Sequence, residues 1–171
     1  MMNIYLIGFM GTGKSAIGRA LESLTGYSLV DMDVEIVKRE KREIAEIFKN
    51  EGEEFFRALE TQLLLELEKK GKCIVSCGGG VVLKEENRGI MHRSGIAVLL
   101  TARPETILER VKNDHSRPLL EGKKNVDAIR EMVQQRMPFY EKAANIIVPT
   151  DGKTVMEIAK HIASVVQRQK S

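Results

Sequence analysis

The sequence contains no tryptophan, and five phenylalanines and three tyrosines are its only large aromatic residues. A core must therefore be built mainly from leucine, isoleucine and valine. There are two cysteines, Cys73 and Cys77. They are too few for a disulfide framework, and their spacing suits no zinc site. We read them as reduced thiols beside a buried strand, as expected in a cytosol. No apolar run approaches the length of a membrane span. The N-terminus enters a strand at once and leaves no room for a signal peptide, so the expected location is cytoplasmic. Neither charge sign dominates: 27 basic residues face 24 acidic ones, for a net charge of +3. The signs are interspersed, which gives no basis for a nucleic-acid-binding face. His92, His115 and His161 form no ligand spacing with acidic residues. Repeats and low-complexity segments are absent. What remains is an ordinary globular composition, 43% hydrophobic over 171 residues. That fits a single domain, residues 1–171, with a real core. No obvious apolar surface patch argues for more than a monomer.

The most informative stretch is Gly8-Phe9-Met10-Gly11-Thr12-Gly13-Lys14-Ser15. It fits G-x-x-x-x-G-K-[ST], a phosphate-binding loop. The apolar run Asn3–Ile7 before it reads as a buried strand, and the residues from Ala16 onward have helical spacing. Glycines at this density let the backbone curl and let a phosphate approach closely. The curl aims backbone N–H groups inward, and the helix start adds its positive dipole end. Gly11, Thr12, Gly13, Lys14, Ser15 and Ala16 are the expected contacts to ATP. Lys14 can reach the β- and γ-phosphates, and the Ser15 hydroxyl can ligate Mg²⁺.

Strand and helix alternate along the rest of the chain, which predicts an α/β fold. Strands are expected near 3–7, 28–32, 73–76, 96–100 and 145–148. Helical patterns follow the loop to about Leu24, cover Val34–Arg39 and 53–70, open at Pro104, run over 126–142 with a bend or break at Pro138, and end the chain from Thr154. Residues 114–125 have turn chemistry and many charges and read as a mobile lid carrying Arg117. Five parallel strands with helices on both faces make a doubly wound, three-layer sheet. In such sheets ligands bind beyond the carboxyl ends of the strands.

Those ends carry the chemistry. Asp31 and Asp33 follow strand two, and alternation in an extended segment places both on one side. One carboxylate suits Mg²⁺, directly or through water; the other suits a proton acceptor for, or a guide to, an attacking hydroxyl. Gly78-Gly79-Gly80 follows strand three, where three adjacent glycines argue for close backbone approach to something. Arg57 and Glu60 are helix neighbours, so Glu60 could orient the guanidinium; taken singly, Arg57 reads as a surface ion pair of little worth, and Arg136 reads the same way. Arg117, in the expected lid, suits closure over ATP and stabilisation of the transferring phosphoryl group. From the residues alone, the chain is a Mg-ATP phosphotransferase acting on a small anionic acceptor.

Taken in order, these motifs resemble shikimate kinase over essentially the whole length. The set comprises Gly8–Ser15, Asp31-Met32-Asp33, Ile47-Phe48, Gly52-Glu53, Phe56-Arg57-Ala58-Leu59-Glu60, Gly78-Gly79-Gly80, Arg117-Pro118-Leu119-Leu120, and Arg136 with Tyr140. The resemblance implies transfer of the ATP γ-phosphate to the 3-hydroxyl of shikimate, in the route to chorismate and the aromatic amino acids. It implies a substrate-binding helical region near 34–60. Asp33 would be the candidate base and bind shikimate hydroxyls. Arg57 and Arg136 would hold the carboxylate, with Glu60 positioning Arg57. Gly78, Gly79 and Gly80 would line the acceptor, Gly79 and Gly80 offering it backbone N–H groups. Lys14 and Arg117 would neutralise transition-state charge, Ser15 and Asp31 would serve Mg²⁺, and Arg110 and the segment Thr150-Asp151-Gly152-Lys153 would flank adenine. Cys77 is the least typical residue of the set. Two rivals stand beside this reading. One is a kinase of another small hydroxy acid, such as gluconate. The other is a nucleotide switch, but Asn125-Val126-Asp127 does not match the guanine-reading N-K-x-D motif.

Overall fold

The computed structural model describes residues 2–112, 125–169 and 171. Five strands form one parallel sheet in the order β2-β3-β1-β4-β5. They are β1 (Asn3–Ile7), β2 (Ser28–Asp31), β3 (Cys73–Ser76), β4 (Gly95–Thr101) and β5 (Ile146–Pro149). The helices are α1 (Lys14–Thr25), α2 (Met32–Glu40), α3 (Ile44–Glu51), α4 (Glu53–Lys70), α5 (Glu85–Ser94), α6 (Pro104–Val111), α7 (Val126–Ala143) and α8 (Val155–Gln169), with a short 3₁₀ turn at Val81–Leu83.

β1 is buried along its whole length and pairs with β3 on one side and β4 on the other. Its side chains alternate between two cores, as the two-residue period of a strand requires. Ile4 and Leu6 join Ile17 and Leu21 of α1 and Ile158 and Ile162 of α8. Tyr5 and Ile7 join Leu64 of α4, Met91 of α5 and Tyr140 of α7. The sheet is thus covered on both faces. The connections leaving β1 and β3 run to opposite sides of the β1–β3 pair, and the crevice at their carboxyl ends is where this architecture places ligands.

Three local readings need correction. Asp31 ends β2 and is the N-cap of α2, its carboxylate accepting from the backbone N–H of Asp33 (3.1 Å) and Val34 (3.2 Å). Asp33 therefore lies in the first turn of a helix, and strand alternation is not what brings the two carboxylates together. Pro138 does not break α7, which runs unbroken through it. Both Pro138 and Gln134, whose carbonyl loses its usual donor, are exposed, so water can satisfy that carbonyl. Helix α5 has no counterpart among the helices expected from the pattern; its buried residues are Asn87, Ile90 and Met91, an apolar stripe with a polar residue in the first position. The final helix is opened by a reciprocal cap: Thr154 Oγ1 accepts from Glu157 N–H (3.1 Å), and Glu157 accepts from Thr154 N–H (2.8 Å).

Candidate active site

Beyond β1 the chain curls into α1, with Gly11 at φ 79° and Gly13, the residue that caps α1, at φ 97°. Both angles strain a residue with a Cβ. Lys14 folds back over the curl and donates from Nζ to the carbonyls of Gly8 (2.7 Å) and Phe9 (3.0 Å). Thr12 is buried and its hydroxyl donates to Phe9 O at 2.8 Å, closing the loop on itself. Ala16 is half-buried in the first turn of α1. This is a rigid anion cradle of the kind the motif predicts.

Ser15 Oγ donates to Asp31 Oδ2 at 2.7 Å and lies 3.4 Å from Ser76 Oγ. A hydroxyl and a carboxylate at the mouth of a phosphate loop are hard oxygen ligands. Mg²⁺ takes one or two such groups, with water and phosphate oxygens completing its shell. The pair fits that ion, although no group of three or more acidic, His or Cys ligands is present among the described residues.

Lys14, Ser15, Asp31 and Asp33 line a pocket of about 320 Å³, together with Gly78 and Gly79. Its apolar wall is Val34, Val37 and Ile44, and Glu43 stands at the same wall. The wall was legible only as a helical region. Cys77 also lines the pocket; burial pushes its thiol well above the usual range, so it is an inert filler here.

The glycine run is packed against charge. A Cβ on Gly78 would sit 2.6 Å from Glu60 Oε2 and 3.2 Å from Asp33 Oδ1. One on Gly79 would sit 3.2 Å from Arg136 Nη1, and one on Gly80 would overlap the Arg57 guanidinium. A side chain on Gly78 or Gly80 would force Glu60 or Arg57 to move, and one on Gly79 would press on Arg136; the run is closely approached, as its adjacency suggested, and the atoms approaching it belong to the site's own charged side chains. Neither guanidinium forms part of the pocket wall; both meet the run that does.

Arg57 donates to Glu60 (2.6 Å) and Glu53 (3.1 Å). Arg136 is 9% exposed, rests over the Phe9 ring at 5.6 Å, and has no ion-pair partner among the described residues. Arg57 Nε and Arg136 Nη1 are buried with no hydrogen-bond partner there. Tyr140, one turn beyond Arg136, donates from its hydroxyl to Gly79 O at 2.6 Å, and burial pushes its phenol up to about 12. A trans peptide directs its N–H opposite to its C=O, so this bond sets the direction of the Gly80 N–H.

Glu60 is fully buried, and burial raises its carboxyl to about 7 despite the neighbouring Arg57. The native state then keeps a proton that the unfolded chain releases above the ordinary carboxyl range. Stability should fall as pH rises from about 4.5 to 7, by something on the order of 2–3 kcal/mol in all. Urea midpoints measured across that window should show the slope, and Glu60→Gln should flatten it. An unchanged slope in the variant would assign the effect elsewhere.

The adenine-side residues are arranged separately. Arg110 on α6 is exposed and donates to Gly11 O at 2.8 Å, which ties it to the phosphate loop. Lys153 is exposed in the turn between β5 and α8, and no contact joins it to the loop. That turn is instead anchored by Asp151, which accepts from Thr106 Oγ1 (2.6 Å) and Arg103 N–H (3.0 Å). Asp151 belongs to the segment 150–153 expected near adenine, but its partners Arg103 and Thr106 were not foreseen. Arg117, and the expected lid at 114–125 except for Asn125, lie outside the described residues; Asn125 caps α7 by accepting from Ala128 N–H at 2.9 Å.

Comparison with known proteins identifies the family. The family model for shikimate kinase matches residues 10–167. A shikimate kinase of Thermodesulfovibrio yellowstonii is 39% identical over 168 residues, covering 98% of this chain and 96% of that one. The structure of shikimate kinase from Acinetobacter baumannii in complex with shikimate superposes with a TM-score of 0.94 at 34% identity, covering 99% of this chain and 95% of that one. A gluconokinase from Sinorhizobium meliloti shares the fold at a TM-score of 0.60 but only 16% identity, with 99% and 95% coverage. No described helix is long and apolar enough to cross a membrane. The chain belongs to the shikimate kinase family.

Proposed function

We propose that the protein phosphorylates the 3-hydroxyl of shikimate with ATP, acting as a cytoplasmic monomer in the route to chorismate. The observation that carries the acceptor assignment is Arg136. A buried guanidinium without a carboxylate is costly, and a ligand carboxylate accepted by its planar fork would offset that cost. Arg57 offers a second guanidinium on the neighbouring glycine, already held in place by Glu60 and Glu53. The membership of the family favours shikimate over gluconate, for which the likeness extends to the fold alone.

In this reading Lys14 and the N–H groups of the loop hold the phosphates, with Arg110 and Lys153 toward adenine. Asp33, on the pocket wall, orients the acceptor hydroxyl and takes its proton. The hydroxyl oxygen bonds to the γ-phosphorus as the bridging P–O bond breaks, and ADP departs with that electron pair. Ser15 and Asp31 would hold Mg²⁺, which would supply charge neutralisation at the phosphates.

The test is ADP release from Mg-ATP with and without shikimate. Release should require shikimate. Release that ignores it would indicate an ATPase, and release driven by gluconate but not shikimate would move the acceptor to the rival class.

A further inference from the structure

The acceptor cradle is assembled from three separate pieces. Arg57 and Glu60 come from α4, Arg136 and Tyr140 from α7, and the glycine run from the segment between β3 and the 3₁₀ turn. Their mutual spacing is set by residues that touch neither the pocket nor the phosphate loop. Asn87 on α5 is fully buried. Its Nδ2 donates to Val81 O at 2.8 Å, and its Oδ1 accepts from the Thr61 hydroxyl at 2.8 Å. Thr61 is one turn beyond Arg57 on α4, with Oγ1 3.1 Å from the Arg57 carbonyl. The next residue, Arg88, donates from Nη1 to Val82 O (2.7 Å) and Leu83 O (3.2 Å), and its guanidinium lies 5.7 Å from the Phe139 ring on α7.

Two adjacent side chains thus take three successive carbonyls of the turn that follows the glycine run. One leans on α4 and the other on α7. The turn in turn holds the glycines, because Val81 N–H donates to Gly78 O and Leu83 N–H to Gly80 O, both at 3.2 Å. A primary amide at a core position is stable only with its partners met. Here the partners are one backbone carbonyl beside the glycines and one hydroxyl beside the arginine.

We propose that Asn87 is a positioning residue for acceptor recognition: by joining the Val81 carbonyl to Thr61 it fixes the glycine run against the Arg57 side of the cradle. This rests on the acceptor reading above. Asn87 touches no reacting atom; it acts through Gly78–Gly80 and Arg57. Misplacement of a binding group by a fraction of an ångström to an ångström costs about ten- to a hundredfold.

Asn87→Asp keeps the shape but sets a carboxylate oxygen against the Val81 carbonyl. Thr61→Val keeps the shape of its own site and removes the hydroxyl, and it decides the matter if the first variant does not fold. In both, the KM for shikimate should rise roughly tenfold or more while the KM for ATP stays within about twofold. Thr61→Ser, which retains the hydroxyl, should behave as the parent. The amide resonances of Gly78, Gly79 and Gly80 should move, with those of Gly11 and Gly13 unmoved. An unchanged acceptor KM in folded Thr61→Val, or a parallel rise in both KM values, overturns the proposal. Parent protein that ignores shikimate would overturn the acceptor reading instead, and the glycine resonances would still decide whether Asn87 positions the run.

Discussion

Lys14→Ala should lower phosphoryl transfer by about 10²- to 10³-fold while leaving the fold intact. The two effects differ because Lys14 does different work in the resting loop and in the reaction. At rest its ammonium donates to the carbonyls of Gly8 and Phe9, bonds worth about 1 kcal/mol each against water. Thr12 closes the same loop independently through Phe9 O, and α1 is anchored through Ile17 and Leu21 in the core. In the reaction the same ammonium faces charge that develops on the transferring group, where a donor aimed in advance is worth about 3–4 kcal/mol of barrier. Initial rates with saturating substrates should show the loss, and thermal midpoints should show a small change. Turnover within about tenfold of the parent would sink the assignment of Lys14 to the transition state.

The phosphate loop was readable because its chemistry forces its spelling. An anion nest needs glycines and a lysine at fixed offsets, so eight residues specify strand end, curl and helix start together. The glycine run was readable for a similar reason, since close approach of charged side chains leaves little room for a Cβ. Asp31 and Asp33 were found by their position after β2, although their geometry comes from a helix cap. Asp, a strong N-cap, fits both descriptions, and the adjacent Met32 gives no sign of which applies. Helix α5 escaped because its buried stripe begins with Asn87, and hydrophobic periodicity scores a buried amide as solvent-facing. Asp151 was read only as part of the segment after β5; its anchoring role escaped because its partners, Arg103 and Thr106, lie more than forty residues away, so nothing local marks them. The phosphate loop and the glycine run are therefore legible from their own spelling, whereas Arg57 and Arg136, read singly, look like surface ions. The residues that hold the site in register are legible only once the chain is folded, because their partners are carbonyls, which every residue has.

Arg136→Met should raise the KM for shikimate by about a hundredfold and leave the KM for ATP nearly unchanged, without loss of stability. A bidentate guanidinium–carboxylate pair contributes two charge-assisted hydrogen bonds, and losing it accounts for about that factor. ATP is spared because the loop that holds its phosphates is built from other residues. The stability claim is the sharper part. Arg136 is buried over Phe9 with one nitrogen unpartnered and no carboxylate within ion-pair distance among the described residues. Removing such a charge relieves a desolvation penalty, and methionine fills similar space, so the variant should unfold at the same temperature or higher. Arg57 offers the contrast: its loss strands Glu60, fully buried and bonded to it at 2.6 Å, and Arg57→Met should unfold at a lower temperature. The two arginines would then divide cleanly, one stabilised by the protein and one kept for the ligand. Arg136→Lys should recover only part of the affinity, since a point charge cannot reproduce the fork. Calorimetric unfolding beside substrate titrations would read both halves. A marked fall in the unfolding temperature of Arg136→Met, or equal weakening toward both substrates, would mean that Arg136 serves the fold and that the acceptor carboxylate is held elsewhere.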